Sequence, residues 1–261
     1  MSLSPNSAVS LDRKRQAVHI QLADLLLIQL SNYRWSWRGM VVTGVAAPLM
    51  TLVAVGLPAK QYGTDALAYV LVGSIVLSLM FQIMNQVAHN FSFMKAMGML
   101  DYFATLPVYR FLLIIATVLA FLLMAVPSLL VTLVFGVLVL GVPLQISPLA
   151  LVVIPLCALP LAGIGALIGL TAPSPQEVGP FTLLLTIVLL FLGPVVLPPV
   201  TLPDWLLALG HVSPSGYAAS ALRQAMVGPV TGRLWLDLAV LAGLAAAVLW
   251  AVGRKITWQP R

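Results

Sequence analysis

Residues His211, Ser213 and Ser215 come nearer to a hydrolytic centre than any other side chains in this sequence. A serine nucleophile needs a base held on a separate structural element, and an oxyanion donor close by. Residues two and four positions apart in a turn broken by proline do not provide that arrangement. We therefore do not expect a serine hydrolase.

The sequence also lacks the patterns of a metal or nucleotide site. The histidines His19, His89 and His211 are far apart and have no H-E-x-x-H spacing. Cys157 lies in an apolar run, which predicts a small buried thiol and excludes a disulfide framework. No G-x-x-x-x-G-K-[ST] motif is present. We therefore expect no metal, cofactor or catalytic residue in this chain.

Charged residues inside apolar stretches would mark a path for ions or protons, and few are present. His89 and Asp237 lie near the ends of such stretches, and Glu177 lies in a predicted loop. A proton- or sodium-driven carrier normally has a carboxylate near the middle of the membrane. Its absence from the sequence indicates that the energy for any transport comes from elsewhere.

The composition sets the class of protein. Hydrophobic residues make up 61% of the 261 residues, and charged residues 8%. Soluble domains average about 45–50% apolar and about 25% charged residues. So little charge cannot cover a soluble globule, and backbone groups in lipid must be paired within helices or closed barrels. We expect an all-α polytopic membrane protein, with residues 1–261 forming a single transmembrane domain.

Six apolar stretches approach the length of about 20 residues that crosses a bilayer. The third is the longest and contains Pro127, which predicts a tilted or kinked helix. An even number of spans puts both termini on one side of the membrane. The stretches cover approximately residues 39–57, 67–91, 111–141, 148–171, 179–198 and 234–252.

The basic residues are distributed unequally in this topology. Lys60, Arg223 and Arg233 fall on one side, and the other ten of the 13 lysines and arginines fall on the other. Positively charged loops face the cytoplasm, so both termini are expected there. The net charge of +6 is explained in the same way, without a nucleic-acid partner. The ten are Arg13, Lys14, Arg15, Arg34, Arg38, Lys95, Arg110, Arg254, Lys255 and Arg261.

An amphipathic helix is predicted before the first span, within residues 16–38. It ends in "NYRWSWRG", where tryptophans beside arginines suit the headgroup layer. Residues 1–38 are therefore expected to form a cytoplasmic tail and an interfacial helix, and no removed signal peptide is predicted. The apolar positions of the helix are Val18, Leu22, Leu25, Leu26 and Leu30, with Gln16, His19 and Asp24 between them.

Residues 93–110, "FMKAMGMLDYFATLPVYR", separate the second and third spans. Met94, Met97, Leu100 and Phe103 recur every three residues and predict one apolar helical face. Such a cytoplasmic helix lies along the membrane interface or docks into a partner, the alternative being an ordinary connecting loop. The other directions hold Lys95, Asp101, Tyr102 and Thr105, and Pro107 stops the helix before Arg110.

Residues 199–233 form another unusual stretch, rich in proline and glycine. Its segments "DWLLALG" and "SGYAASALRQAMVG" each predict a short, half-apolar helix. Such helices can dip into the outer leaflet if surrounding protein shields their backbone. A pair between Asp204 and Arg223 on the outer side would hold these helices, the alternative being a solvated surface pair that contributes under about 1 kcal/mol.

In their order, these parts resemble a type-2 ABC (ATP-binding cassette) export permease, the class that includes daunorubicin-resistance-like transmembrane subunits. That family has an interfacial helix, six spans, a cytoplasmic coupling helix after span two, and re-entrant extracellular helices between spans five and six. Its T-x-P-V-x-R and P-x-x-Y-x-x-x-A-L-R patterns correspond to "TLPVYR" and "PSGYAASALR". Many relatives carry a glutamate and an arginine where this chain has "SFMKAMG", which keeps only Lys95.

The resemblance implies roles for two groups of residues. The residues expected to couple the chain to an ATPase are Lys95, Met97, Gly98, Leu100, Asp101, Tyr102, Phe103, Pro107 and Arg110. The residues that match the re-entrant segment are Pro203, Trp205, Pro214, Tyr217 and Arg223.

The resemblance also implies partners and a location. Two copies of the chain would form the pathway, with two ATPase subunits that hold ATP and Mg, in a bacterial-type inner membrane. The expected substrate is hydrophobic or amphipathic: a drug, a lipid or a lipid-linked molecule. A lipid-linked polysaccharide is the alternative substrate, and an ATP-independent carrier or channel is the alternative function.

Spans one and five line the dimer seam or the path in this family, which makes a few residues candidates for the route. Facing lipid or the core is an equal alternative for each of them. The candidates are Pro48, Met50, Thr51, Phe181, Thr182 and Thr186.

Small and polar residues within the spans predict contacts between helices. Gly163, Gly165 and Gly169 include a G-x-x-x-G spacing, and we expect packing within one protomer rather than at a dimer seam. The polar group in span two predicts interhelical hydrogen bonds, with a substrate contact as the alternative. Its members are Gln82, Asn85, Gln86 and His89.

Overall fold

The computed structural model describes residues 17–105, 110–142, 147–192, 195–196, 203–210 and 213–255. These residues form helices and short connections, and no β-strand occurs among them. The all-α prediction is confirmed. The helices are α1 Val18–Asn32, α2 Trp37–Tyr62, α3 Thr64–Ala96, α4 Met99–Thr105, α5 Phe111–Leu140, α6 Ala150–Thr171, α7 Pro175–Phe191, α8 Asp204–Gly210, α9 Pro214–Met226 and α10 Arg233–Lys255.

Five of these helices, α2, α3, α5, α6 and α10, are long and apolar enough to cross a membrane. A multi-pass membrane protein is thereby confirmed. Helix α7 is apolar but has 17 residues, about 25 Å at 1.5 Å per residue, against a hydrocarbon core of about 30 Å. The sixth span therefore stays a prediction.

Helix α7 begins and ends earlier than its predicted range of 179–198. Pro175 occupies the first helical turn, where a missing N–H costs nothing, and Ser174 precedes it in an extended conformation. The Ser174 hydroxyl donates to the Glu177 carboxylate at 3.2 Å. Glu177 thus lies in the first turn of the helix, where its charge suits the macrodipole, and the prediction that it lies in a loop was wrong.

Helix α3 is the centre of the fold. Its most apolar window is 89% buried, against 28% for α2 and 22% for α10. A helix that is apolar on all sides belongs inside a bundle, and α3 contacts α2, α5, α6, α7 and α9. Its 33 residues exceed the predicted span of 67–91 at both ends.

Three of the long helices contain a π-helical segment, a feature that is frequent at functional sites. The segments are Leu52–Gly56 in α2, Met80–Asn85 in α3 and Gly136–Leu140 in α5. Helix α5 is continuous through Pro127.

Gln82 joins three helices near the middle of the bundle. Its side chain is buried, and its Nε2 donates to the Met40 carbonyl and to the Ser128 hydroxyl, each at 2.7 Å. Gly44 leaves room for it, because a Cβ there would occupy the same space. Interhelical hydrogen bonding is thus confirmed for Gln82, whereas Asn85 bonds within its own helix, to the Met80 carbonyl.

Small residues let α6 approach its neighbours closely. A Cβ on Gly165 would meet the Met84 carbonyl of α3, and one on Gly169 would meet the Ala88 carbonyl. A Cβ on Gly163 would instead meet Val248 of α10. These glycines pack within the chain, as predicted.

The bundle has two distinct ends, and α3 runs from one to the other. At the α9 end, Tyr69 of α3 lies against Arg223 of α9. At the α4 end, Met94 of α3 packs with Phe103 of α4.

Candidate functional site

The segment at the α4 end begins where α3 stops. Gly98 has φ +68°, a left-handed conformation that glycine adopts without strain, and it separates α3 from α4. The break changes the direction of the chain, so the predicted single apolar face does not form. Met94 and Phe103 are buried, whereas Met97 is 63% exposed.

Helix α4 rests on an apolar cluster of its own chain. Leu100 and Met99 pack against this cluster at its edge. The position of α4 is therefore set by α1, α3 and α5, and Phe103 is a core residue rather than a free contact. The cluster consists of Leu25, Met94, Phe103, Leu112, Leu113 and Ala116.

Four side chains point away from this cluster: Met97, Asp101, Tyr102 and Thr105, which we call the α4 outer face. Tyr102 is 64% exposed, and the Thr105 hydroxyl donates to the Tyr102 carbonyl at 2.8 Å. Methionine and tyrosine are enriched in protein interfaces. An exposed aromatic ring on a buttressed helix is suited to contact another protein.

Lys95 holds α6 in place. Its Nζ donates to the carbonyls of Leu170 and Ala172, at 2.9 and 3.1 Å. These are among the last carbonyls of α6, where a cation suits the helix dipole. Of the other residues predicted at this end, Pro107 lies outside the described residues, and only the backbone of Arg110 is described.

Helix α1 lies beside this site, and its inward face includes Leu22, Leu25 and Leu26 as predicted, together with two glutamines that were not predicted there. Gln21, Leu25 and Gln29 are buried, whereas Val18 is exposed. Gln29 Nε2 donates to the Thr117 hydroxyl at 3.0 Å, and Asn90 Nδ2 donates to Gln29 Oε1 at 3.3 Å. The polar groups of α3 and α5 thus select a partly polar face of α1. The helix also ends at Asn32, before the predicted limit of residue 38.

The candidates for the route on α2 and α7 divide into exposed and buried side chains. Met50 and Phe181 are exposed, whereas Pro48, Thr182 and Thr186 are buried, and Thr51 is half-buried. The three threonine hydroxyls donate to carbonyls of their own helices. Phe181 also lines an apolar cleft of about 410 Å³ between α6 and α7.

At the α9 end, Pro214 begins α9, and this helix is packed into the bundle. Trp205 and Pro203 are exposed, and Tyr217 lines a cavity. Arg223 stacks on Tyr69 while Asp204 is exposed, so the predicted pair between Arg223 and Asp204 was wrong.

The serines considered above as possible nucleophiles form hydrogen bonds that belong to the fold. The Ser213 and Ser215 hydroxyls are buried and lie 2.6 Å apart, and Ser215 donates to the Leu189 carbonyl at 2.6 Å. His211 lies outside the described residues. No group of three or more histidine, cysteine, aspartate or glutamate side chains that could hold a metal occurs in the part of the chain that the structure describes.

A comparison with known protein families identifies the family of this chain. The model of the ABC-2 type transporter family matches residues 21–227, from α1 through α9. The chain belongs to the ABC-2 type transporter family. No curated protein sequence matches it. The ABC-2 domain is the permease component of an ABC transporter and is not itself catalytic, and the family works with an ABC ATPase.

Two residues of this ABC-2 chain were missed as candidates by sequence reasoning. Asp237 lies four residues into α10, and a carboxylate near the start of a span was a usable signal. Tyr69 carried no signal, because its contact with Arg223 joins residues far apart in the sequence.

Proposed function

We propose that this ABC-2 chain is the transmembrane subunit of an ATP-driven exporter, and that α4 is the helix through which its ATPase acts. The observation that carries the proposal is the α4 outer face, with an exposed tyrosine on a helix fixed by its own apolar cluster and an exposed methionine in the turn before that helix. A force applied to a helix fixed in this way is transmitted to α3 and α5 because they share the cluster. ATP binding to the partner would then favour one arrangement of the bundle.

The distribution of charge supports a cytoplasmic position for the α4 end. Lys60, Arg223 and Arg233 belong to the α9 end, whereas the other described basic residues lie toward the α4 end. Positive loops face the cytoplasm. With this orientation both termini are cytoplasmic, and α8 and α9 are the re-entrant extracellular helices. The membrane would be a bacterial-type inner membrane.

Exposed apolar side chains support a dimer. Helix α2 exposes Val42 and Met50, and α7 exposes Phe181, Leu184 and Phe191. These surfaces face either lipid or a second copy, and we infer that part of them forms the seam of a homodimer with two ATPase subunits. ATP and Mg would be held by the ATPases.

The substrate we propose is hydrophobic or amphipathic, such as a drug, a lipid or a lipid-linked molecule. The apolar cleft beside Phe181 supports this class, since the residues that line it carry no charge. A lipid-linked polysaccharide remains the alternative substrate, and an ATP-independent carrier or channel the alternative function. Stimulation of ATPase turnover by an amphipathic compound, and by no strongly polar polymer, would support the proposed class.

The proposed coupling is tested by affinity purification of the tagged chain from membranes in a gentle detergent. We expect a stoichiometric P-loop ATPase in the wild type. Changing Met97→Glu and Tyr102→Glu together should reduce the retained ATPase by at least about tenfold, since exposed aromatic anchors dominate interface energies. The matched control is Tyr62→Glu, which alters a tyrosine that is 79% exposed at the opposite end.

The outcomes separate two failures. If no ATPase is retained by the wild type, the carrier alternative takes precedence. If the double variant retains as much ATPase as Tyr62→Glu does, an ATPase is present but the α4 outer face is not its contact.

A further inference from the structure

A cavity of about 440 Å³ opens at the α9 end, between α8, α9, α10 and the first turns of α3, and several of the residues that line it are polar or charged. Three charged side chains line it: Arg223 of α9, Asp237 of α10 and the exposed Arg233 at the start of α10. The cavity therefore brings three charged side chains together, and it lies at the opposite end of the bundle from α4.

Arg223 is held in a fixed orientation, with part of its hydrogen-bonding capacity unused. Its Cζ lies 3.4 Å from the centroid of the Tyr69 ring, a stacking geometry that favours a cation. Its Nε and Nη2 are buried and have no hydrogen-bond partner among the described residues. These two N–H groups of arginine point in the same direction and form a fork that fits two oxygens of a phosphate or carboxylate.

The Asp237 carboxylate is also held in place, and hydrogen bonds reach only one of its two oxygens among the described residues. One oxygen, Oδ2, accepts from the Ser220 hydroxyl at 2.6 Å and from Gln224 Nε2 at 3.2 Å. Gln224 is itself oriented, because its Oε1 accepts from the Thr231 hydroxyl at 2.6 Å. The other oxygen of Asp237, Oδ1, is buried without a partner in the part of the chain that is described. It is an acceptor that lacks a donor.

The two incomplete groups define the chemistry of a ligand. Burying charged groups with unmade hydrogen bonds costs free energy, which a molecule that completes them recovers. The Arg223 fork requires an anion with two oxygens, and Asp237 Oδ1 requires a hydroxyl or an ammonium. With Arg233 at the rim, the lining carries two positive charges and one negative charge, so the phosphate of a ligand is the part that the cavity holds most strongly.

The depth of the cavity indicates where such a ligand comes from. Tyr69 lies five residues after Thr64, the start of α3, and Asp237 lies four residues after Arg233. At 1.5 Å per residue, both are roughly 6–8 Å from the helix starts. The headgroup layer of each leaflet is about 5–8 Å thick. The cavity is thus at the level of lipid headgroups when the helix starts mark the membrane surface.

We propose that this cavity binds a phospholipid headgroup, with the phosphate on the Arg223 fork and an ammonium or hydroxyl of the headgroup donating to Asp237 Oδ1. A phosphoethanolamine group satisfies both requirements. A phosphocholine group satisfies only the first, because its trimethylammonium has no N–H. The site does not depend on ATP or on the direction of transport, so it stands apart from the exporter proposal.

The test uses the purified full-length chain in detergent and measures binding by native mass spectrometry and by thermal unfolding. The probes are short-chain phosphatidylethanolamine, short-chain phosphatidylcholine and soluble O-phosphoethanolamine. We expect phosphatidylethanolamine to bind more tightly than phosphatidylcholine, and to raise the unfolding temperature of the wild type more. Replacing Arg223→Lys keeps the charge but removes the fork, and should weaken phosphatidylethanolamine binding by at least about tenfold.

The controls separate the headgroup contact from general effects. Asp237→Asn removes the negative charge but keeps an acceptor oxygen, so it should reduce the preference for phosphatidylethanolamine over phosphatidylcholine, whereas Lys60→Gln, which removes a charge at the same end outside the cavity, should keep it. If the variants of Arg223 and Asp237 do not fold, the lipid-dependent unfolding temperature of the wild type still decides. Equal effects of the two lipids would overturn the proposal. Equal affinity for soluble O-phosphoethanolamine would overturn the assignment to a lipid.

Discussion

The two ends of the bundle use similar residues in opposite ways. At the α4 end, Phe103 and its apolar neighbours are buried and Tyr102 is exposed above them. At the α9 end, Arg223 and Asp237 turn inward to a cavity, and Tyr69 is the surface on which the arginine stacks. One end exposes an aromatic side chain, and the other surrounds a cavity with charged and polar side chains.

This difference follows from what lies beneath each segment. Helix α4 has seven residues and covers an apolar cluster, so its polar side chains face away from that cluster. Helix α9 is surrounded by α3, α6 and α10, and its alanine-rich face lets it sink between them. Polar groups on its remaining face then meet one another inside the protein.

The largest effect is expected from a substitution in the apolar cluster beneath α4. Phe103→Ala removes a side chain that is 5% exposed and leaves a void in the cluster, so unfolding should be easier by about 3–5 kcal/mol. Denaturant unfolding of the purified chain measures this. Tyr102→Ala, at the neighbouring exposed position, should change the stability by less than about 0.5 kcal/mol. Similar losses of stability for both variants would contradict the division between the buried apolar cluster and the α4 outer face.

A smaller effect is expected from loosening the inward network at the α9 end. Ser220→Ala removes the 2.6 Å hydrogen bond to Asp237, and hydrogen bonds to charged groups contribute about 1.5–3 kcal/mol. The same unfolding measurement applies. The control is Ser31→Ala, since the Ser31 hydroxyl is exposed and donates only to the Ile28 carbonyl of its own helix. Equal stability of the two variants would indicate that Asp237 does not depend on this network.

The sequence predicted the helical class well because apolar runs and turn residues are local signals. The long spans appear within a few residues of their predicted limits, and the Gly165 and Gly169 spacing packs helices as predicted. The predicted helix boundaries were wrong where the residues of the first helical turn, rather than hydropathy, determine where a helix begins. Pro175 and Glu177 begin α7 ahead of its apolar run, which hydropathy alone does not register.

The candidate sites were less predictable because they depend on contacts between distant residues. The three-residue spacing from Met94 to Phe103 assumed one helix, and Gly98 breaks it. Gln29 lies on the same face of α1 as Leu25, but its partners Thr117 and Asn90 are far away in the sequence, so no pattern within α1 reveals these hydrogen bonds. Arg223 was paired with the nearest acid in the loop, but its stacking partner lies more than 150 residues earlier in the chain.

The smallest expected effect concerns Lys95, and it sharpens the boundary of the α4 outer face. Lys95→Met keeps most of the apolar stem but loses the ammonium that binds the Leu170 and Ala172 carbonyls. A cation at a helix C-terminus contributes about 0.3–1 kcal/mol, so the unfolding free energy should fall by that amount. Because the charge is used within the chain, the ATPase retained in affinity purification should equal that of the wild type. The contrary outcome is a loss of ATPase comparable to that of the Met97 and Tyr102 variant, without a loss of stability. Lys95 would then belong to the docking surface rather than to the support of α6. In that case the α4 outer face would extend across the Gly98 break onto the end of α3.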